Sequence, residues 1–301
     1  MQCPLYEYIL LIPFFFWQYF THRKGLKLIG KEDKLEEYNR IALKIAREVA
    51  EDTGTLFAGG ISHTNLFQDP SLSDPASEIR PMFEEQVRWA KEEGVDYIIG
   101  ETFTDSREAV IALEVIKSFD LPAVITFAVI GRNRDGVLST VDGVPIGKAC
   151  QQLIEMGATL VGTNCFRGPD TMMEVIEDII KVVPPEKVCA LPIAYRTNKQ
   201  EPTFRTLTDK VCPENNPVYP HGLSAFFVSE VEIAKFTKTC VDLGLKYLGI
   251  CCGNTGNYMR TMAEAVGRKT VLSKYHDSEK VSKIVESKRQ MYQRQYDQLE
   301  K

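Results

Sequence analysis

Tyr247-Leu248-Gly249-Ile250-Cys251-Cys252-Gly253-Asn254 reads as a short apolar strand that ends in two adjacent cysteines, with a helical pattern beginning near Gly256. Successive strand residues point to opposite faces, so both sulfurs reach one centre only if the chain leaves extended geometry at Cys252. Gly253 permits that break. A disulfide within the pair is a poor alternative, because bridged cysteines usually hold their Cα atoms farther apart than the ~3.8 Å between chain neighbours. A soft cation such as zinc satisfies two thiolates better, provided a third ligand arrives from elsewhere.

A second strand end supplies the candidate: Ala158-Thr159-Leu160-Val161-Gly162-Thr163-Asn164-Cys165. Cys150 and Cys240 sit in helical patterns and Cys189 in an apolar strand, so each reads as a small buried hydrophobe. Cys3 and Cys212 fall in irregular segments. Three thiolates with an open fourth position is how a catalytic zinc site is built, whereas a structural site is closed by a fourth side chain. Spacing alone leaves open the alternative that Cys165, Cys251 and Cys252 are core residues.

Outward from these two strand ends the chain alternates. Strands are expected at residues 14–21, 55–61, 97–100, 123–127, 159–162, 188–191 and 247–250, with helices at 32–50, 82–93, 106–119, 145–156, 170–183 and 229–243. Asp105 and Ser229 are the expected N-caps of two of them, and 70–81 is expected as a polar loop. Near-continuous apolar strands separated by helices imply a parallel sheet covered on its outside. Seven strands are one short of a TIM-type (β/α)8 barrel, so the expected fold is such a barrel, incomplete or altered at its first strand. Either residues 6–12 supply a substitute strand or the barrel has a gap.

The chain has 301 residues, 44% of them hydrophobic, which allows one large core. A net charge of −5 without a basic patch argues against a nucleic-acid partner. Eight cysteines with no small-domain framework suit a reducing compartment, and a cytoplasmic location is expected. The apolar run Ile9-Leu10-Leu11-Ile12-Pro13-Phe14-Phe15-Phe16-Trp17 is shorter than the ~20 residues that span a bilayer and contains a proline. It also lacks a basic start and a small-residue cleavage site, so neither a membrane anchor nor a signal peptide is expected.

The segment Gly249-Ile250-Cys251-Cys252-Gly253-Asn254, with Tyr258-Met259-Arg260-Thr261-Met262-Ala263-Glu264 after it and Val161-Gly162-Thr163-Asn164-Cys165 upstream, resembles the zinc-dependent homocysteine S-methyltransferase family. The likeness is strongest to its betaine-dependent branch, and includes Leu191-Pro192-Ile193-Ala194-Tyr195, Tyr219-Pro220-His221-Gly222-Leu223 and Gly100-Glu101-Thr102-Phe103 followed by Glu108-Ala109. It covers about residues 18 to 268. The resemblance implies that Cys165, Cys251 and Cys252 hold Zn2+, and that a methyl group passes from betaine to homocysteine, giving methionine and dimethylglycine. S-methylmethionine or another methyl donor, and an inactive zinc-binding paralogue, are the competing expectations.

The resemblance also assigns roles at the rim of the barrel, where chemistry is expected. By it Glu101 is the candidate for the homocysteine ammonium and Tyr195 for a site-lining aromatic; Asn164, read from its place before the turn, either hydrogen-bonds across the rim or satisfies local backbone. Thr102 stands where the betaine enzymes carry a tyrosine. His63 is a weak candidate for a fourth ligand, and Trp17 and Phe20 for faces toward a methylammonium group. The family's Gly-Asp-Gly first-strand motif is missing, Ile250 replaces a glycine, and Asn254 replaces an aromatic. Three regions are expected: an atypical apolar segment over 1–16, the barrel over 17–270, and a charged C-terminal helix over 271–301, patterned over 281–299, that is either an arm of a homo-oligomer or a solvated amphipathic cap on the barrel.

Overall fold

The computed structural model describes residues 10–12, 19–209, 217–253 and 255–270, together with Ser287, Gln290 and Met291 in helical conformation. Nine strands are present among these: β1 (Leu10–Ile12), β2 (Ala58–Ser62), β3 (Tyr97–Phe103), β4 (Ala123–Phe127), β5 (Gly131–Arg132), β6 (Leu138–Ser139), β7 (Leu160–Asn164), β8 (Val188–Leu191) and β9 (Tyr247–Gly249). The helices are α1 (Arg23–Lys27), α2 (Leu35–Thr53), α3 (Pro75–Glu92), α4 (Ser106–Ser118), α5 (Ile146–Glu155), α6 (Pro169–Ile180), α7 (Glu230–Asp242) and α8 (Thr255–Ala265). Seven strands form one parallel sheet in the order β1-β9-β8-β7-β4-β3-β2, and β5 and β6 form a separate antiparallel hairpin. The sheet curls as an incomplete (β/α) barrel.

Strand alternation sorts the core into two layers. Tyr97, Ile99, Val124, Leu160, Cys189, Leu191 and Tyr247 pack together inside the curl. Ile61, Ile98, Ala123, Ile125, Val161, Val188, Ala190 and Leu248, on the intervening positions, pack with the helices. Side chains two apart share a face, so each strand feeds both layers and reads as continuously apolar. Across the interior the hydroxyls of Tyr97 and Tyr247 lie 3.3 Å apart, which satisfies two polar groups deep in the curl. β7 and β8 approach so closely that a Cβ on Gly162 would stand 1.9 Å from the Cys189 carbonyl oxygen.

The helix ends follow the expected chemistry. Asp105 accepts from the Arg107 backbone N–H, and Ser229 and Glu232 form a reciprocal capping box at the start of α7. The expected loop over 70–81 is corrected, since α3 begins at Pro75. Asp74 accepts from the Ser77 N–H, and Pro75, lacking an N–H, suits the first helical turn. Pro81 then lies inside the helix, where it forgoes a single backbone bond.

The start of the barrel also departs from expectation. The strand expected over 14–21 is contradicted at its end, because Tyr19 and Phe20 form a turn and Phe20 has a φ of 58°. Residues 13–18 lie outside the described residues. β1 instead pairs with the last strand, matching Leu10 to Tyr247 and Ile12 to Gly249. Leu10–Ile12, within the expected 6–12, therefore contributes a strand beside β9, while residues 6–9 lie outside the described residues. Among the described residues β1 and β2 are the two edges of the sheet and do not pair with each other.

Candidate active site

Glu101, Asn164, Cys165, Tyr195, Cys251 and Cys252 lie at the C-terminal rim of the sheet, at or after the ends of β3, β7, β8 and β9. Cys165 follows β7 directly, and both Cys165 and Phe166 adopt left-handed backbone conformations, with φ of 59° and 55°. Such conformations cost non-glycine residues about 1 kcal/mol or more each, so the surroundings must hold them. They do: the Cys165 N–H donates to the Leu191 carbonyl at 3.0 Å, and the Phe204 N–H donates to the Phe166 carbonyl at 2.9 Å. The buried Arg167 anchors the same turn by donating to the carbonyls of Val129 at 2.8 Å and Thr171 at 3.3 Å.

Cys251 and Cys252 follow β9, and the chain bends at Cys252 as the sequence required, with Gly253 at a φ of 111°. This segment runs beside the one that follows β8. The Cys251 N–H donates to Pro192, and the Ala194 N–H donates to Cys252, both at 2.8 Å. Ile250 packs among the helices, while Cys251 belongs to the interior cluster, so the branched side chain does not crowd the sulfurs. Asn254 lies outside the described residues.

The three sulfurs converge. Cys252 Sγ is 3.7 Å from Cys165 Sγ and 3.8 Å from Cys251 Sγ, and all three lie within 4.8 Å of one another. Sulfurs at the usual zinc distance of ~2.3 Å in a tetrahedron stand ~3.8 Å apart, so the two separations from Cys252 match those of a zinc site and the donor set is of the kind that binds this ion. Among the described residues no fourth His, Cys, Asp or Glu joins the group, so the cluster offers three protein ligands. His63 in particular is not part of it.

Hydrogen bonding from Cys165 and then Cys251 pulls the Cys252 thiol down to about 4. Cys251 is pushed up by donating to Cys165 and Cys252 and then by burial. Hydrogen bonding with Cys251 draws the Cys165 thiol down, but donation to Cys252 and burial outweigh it and leave Cys165 raised. The cluster's own hydrogen bonds and burial thus favour the thiolate at Cys252 over those at Cys165 and Cys251.

Asn164 connects the sulfurs to the carboxyl group. Its Nδ2 lies 2.7 Å from Thr102 Oγ1, 3.3 Å from Glu101 Oε2 and 3.7 Å from Cys251 Sγ. Its Oδ1 accepts from the Thr102 N–H and the Thr126 hydroxyl, both at 2.8 Å. Glu101 is raised to about 8, first by burial and then by the negative charge of Cys252. Tyr195, half-buried, stacks on Phe227 with ring centres 5.1 Å apart, and burial followed by the charge of Cys252 raises its phenol. Glu101, Asn164 and Tyr195 therefore do gather around the three cysteines.

Tyr19 is the residue that sequence reasoning missed. Its hydroxyl is raised by burial and then by the charges of Cys165, Glu101, Cys251 and Cys252, which places it within electrostatic reach of the same mouth. His63 packs edge-on to Tyr19 at 5.7 Å and to Phe20 at 5.2 Å. It is buried rather than a plain loop residue, and its Nδ1 has no partner among the described residues. Trp17 lies outside the described residues.

Residues 17–266 match the family model described as homocysteine S-methyltransferase. S-methylmethionine–homocysteine S-methyltransferase BHMT2 of Pongo abelii is 29% identical over 238 residues, covering 77% of this chain and 61% of that protein. Betaine–homocysteine S-methyltransferase 1 of Mus musculus is 29% identical over 257 residues, covering 78% and 58%. The Xenopus laevis protein of that name is 31% identical over 238 residues, covering 76% and 54%. The chain thus spans less than two thirds of the length of these relatives. The metallated homocysteine methyltransferase MmuM from Escherichia coli has the same fold, with a TM-score of 0.59 at 13% identity, over 82% of this chain and 77% of that one.

Proposed function

The chain belongs to the homocysteine S-methyltransferase family, and from that premise we propose that it transfers a methyl group to the sulfur of homocysteine, giving methionine, at a zinc ion held by Cys165, Cys251 and Cys252. The observation that carries this reading is the sulfur spacing of 3.7 and 3.8 Å in a cluster that offers three protein ligands. When bound, the ion supplies the positive charge that keeps a thiol, ordinarily near ~8.5, in its nucleophilic thiolate form at neutral pH.

The chain's own residues supply position. Glu101 receives the substrate ammonium, whose charge favours the ionised carboxylate that burial otherwise disfavours. Asn164 holds Glu101 and the Thr102 backbone in place, and its amide group steadies Cys251. Tyr195, braced by Phe227, lines the mouth and excludes water from the line along which the methyl group moves.

The donor in this proposal is betaine, with dimethylglycine as second product. S-methylmethionine is the alternative, supported by a relative of equal identity that bears that name. A reducing, cytoplasmic compartment suits three free thiols, and no helix among the described residues is long and apolar enough to cross a membrane. The oligomer arm expected over 281–299 remains part of the proposal, although most of it lies outside the described residues.

The test is methionine formation by zinc-loaded protein given homocysteine and each donor in turn. Product with one donor establishes the reading and names the donor. Stoichiometric zinc without product from any donor replaces it with an inactive zinc-binding paralogue.

A further inference from the structure

Arg205 lies in the loop between β8 and α7, exposed, and no carboxylate among the described residues is within ion-pair distance of it. Its guanidinium carbon stands 5.0 Å from the ring centre of Phe166, 5.5 Å from that of Tyr219 and 5.9 Å from that of Phe204. Phe204 packs against both other rings, with centres 5.3 Å from Phe166 and 5.0 Å from Tyr219. Phe166 follows the metal-site cysteine Cys165, and the Phe204 N–H is bonded to its carbonyl. The cation is therefore fastened to the rim of the site. Its charge also reaches His63, which packs on Tyr19 at the same mouth.

Stacking on aromatic faces orients a guanidinium but consumes none of its five N–H donors. Those donors form a planar fork that matches a carboxylate in bidentate fashion. A fork held by aromatic rings, with no carboxylate among the described residues to fill it, beside a substrate mouth, is a binding position for an external anion.

We propose that Arg205 receives the carboxylate of the methyl donor and so sets which end of the donor faces the sulfurs. This rests on the methyl-transfer reading above. The acceptor is engaged at depth, where Glu101 and Asn164 are buried, so the donor approaches from the solvent side. A donor of the betaine or S-methylmethionine type carries a positive onium centre at one end and a carboxylate at the other. Like charge turns the onium end away from Arg205 and toward the anionic sulfur cluster, while the fork retains the carboxylate at the rim. Arg205 is thus a positioning and specificity residue, and a donor without a carboxylate forfeits its contribution.

The test uses zinc-loaded, full-length protein saturated with homocysteine, comparing the wild type with Arg205→Gln and Arg205→Lys. Calorimetry measures binding of betaine against choline, and of S-methylmethionine against trimethylsulfonium, each pair differing in the carboxylate-bearing arm. Methionine formation is followed against donor concentration in parallel. The wild type is expected to prefer the carboxylate-bearing member of one pair by roughly tenfold or more, the scale of one charge-assisted contact. Arg205→Gln should abolish that preference and raise the donor KM by a similar factor, leaving kcat, the homocysteine KM and zinc content within twofold. Arg205→Lys should recover part of the loss.

No preference in either wild-type pair, an unchanged preference in Arg205→Gln, or a parallel rise of both KM values would overturn the inference. An Arg205-dependent preference without methionine formation would sustain it and remove the proposed reaction. Methionine formation with an unaltered donor KM in Arg205→Gln would do the reverse.

Discussion

The side-chain oxygen of Asn164 accepts a hydrogen bond from the backbone nitrogen of Thr102 at 2.8 Å, joining the end of β7 to a residue of β3 held at a φ of 65°. β4 lies between those two strands, and its Thr126 hydroxyl donates to the same oxygen. One amide therefore fixes three adjacent strand ends beneath the sulfurs. Asn164→Ala would leave the buried Thr102 N–H and Thr126 hydroxyl without this acceptor and is expected to cost about 2–4 kcal/mol of stability. Asn164→Asp keeps the acceptor but adds negative charge beside Glu101 and Cys251, so it should retain more of the stability and lose more of the activity. Denaturant unfolding and methionine assays of both variants check the pair.

Zinc content should follow the three convergent sulfurs and ignore the others. Cys251→Ala and Cys252→Ala are expected to abolish stoichiometric zinc, measured by elemental analysis of the purified protein, and methionine formation with it. Cys189→Ala removes a thiol buried inside the curl but apart from the cluster, and should retain zinc at the cost of a small cavity.

Gly253→Ala tests the bend that brings the adjacent cysteines together. A Cβ there would stand 2.7 Å from the Cβ of Ala194, on a residue whose φ of 111° already disfavours any side chain. The strain falls beside a metal ligand, so zinc affinity should drop at least tenfold while the far side of the barrel keeps its packing. Competition with a chromogenic chelator gives the affinity, and amide hydrogen exchange reports the packing.

Glu101→Gln should raise the homocysteine KM by roughly tenfold to a hundredfold, the consequence of losing a charged partner for the ammonium in a buried site. Zinc content should be unchanged, because Glu101 is not among the clustered ligands. An unaltered KM would sink the assignment of Glu101 to the ammonium.

Stability should depend on pH from two directions. Burial pushes Glu108 up to about 7 from the ordinary 4.5, although the Thr64 N–H and hydroxyl both donate to it. Its folded form holds the proton more tightly than the unfolded chain does, so the associated stability is complete below pH 4.5 and is lost as pH rises through about 7. Glu108→Gln should therefore stabilise the protein by about 3 kcal/mol at pH 8 and by much less at pH 5. His22 and His63 act oppositely, since burial lowers both to about 4 from 6.5, and their contribution is lost as pH falls from 6.5 toward 4. Thermal melts across pH 4 to 9 separate the two limbs.

Much of this architecture was legible because it is local. The strands that end in Asn164 and Gly249 are apolar runs bounded by turn residues, and the caps at Asp105 and Ser229 are single-residue signals. The cysteine pair was legible because adjacent sulfurs impose a backbone break that only a residue such as Gly253 readily allows. Tyr19 was not. It enters the site through a tight turn at Phe20, and in a run of aromatics a turn has no periodicity to distinguish it from a strand. The start of α3 was hidden for a related reason, since Pro75 reads as a breaker unless Asp74 is recognised as its cap. Arg205 was invisible because nothing in its neighbours' identities announces which rings the loop will fold it against.

Two of the three sulfurs belong to neighbouring residues, and the third to a separate strand. Cys251 and Cys252 would thus hold a bound ion as a chelate tethered by a single peptide unit. Cys165 has no such tether, and its left-handed turn makes its presentation depend on the packing of Phe166 and Arg167. If the cluster holds an ion as proposed, its residence time would be governed at the Cys165 turn, and damage there should show first as faster metal exchange, ahead of any loss in equilibrium occupancy.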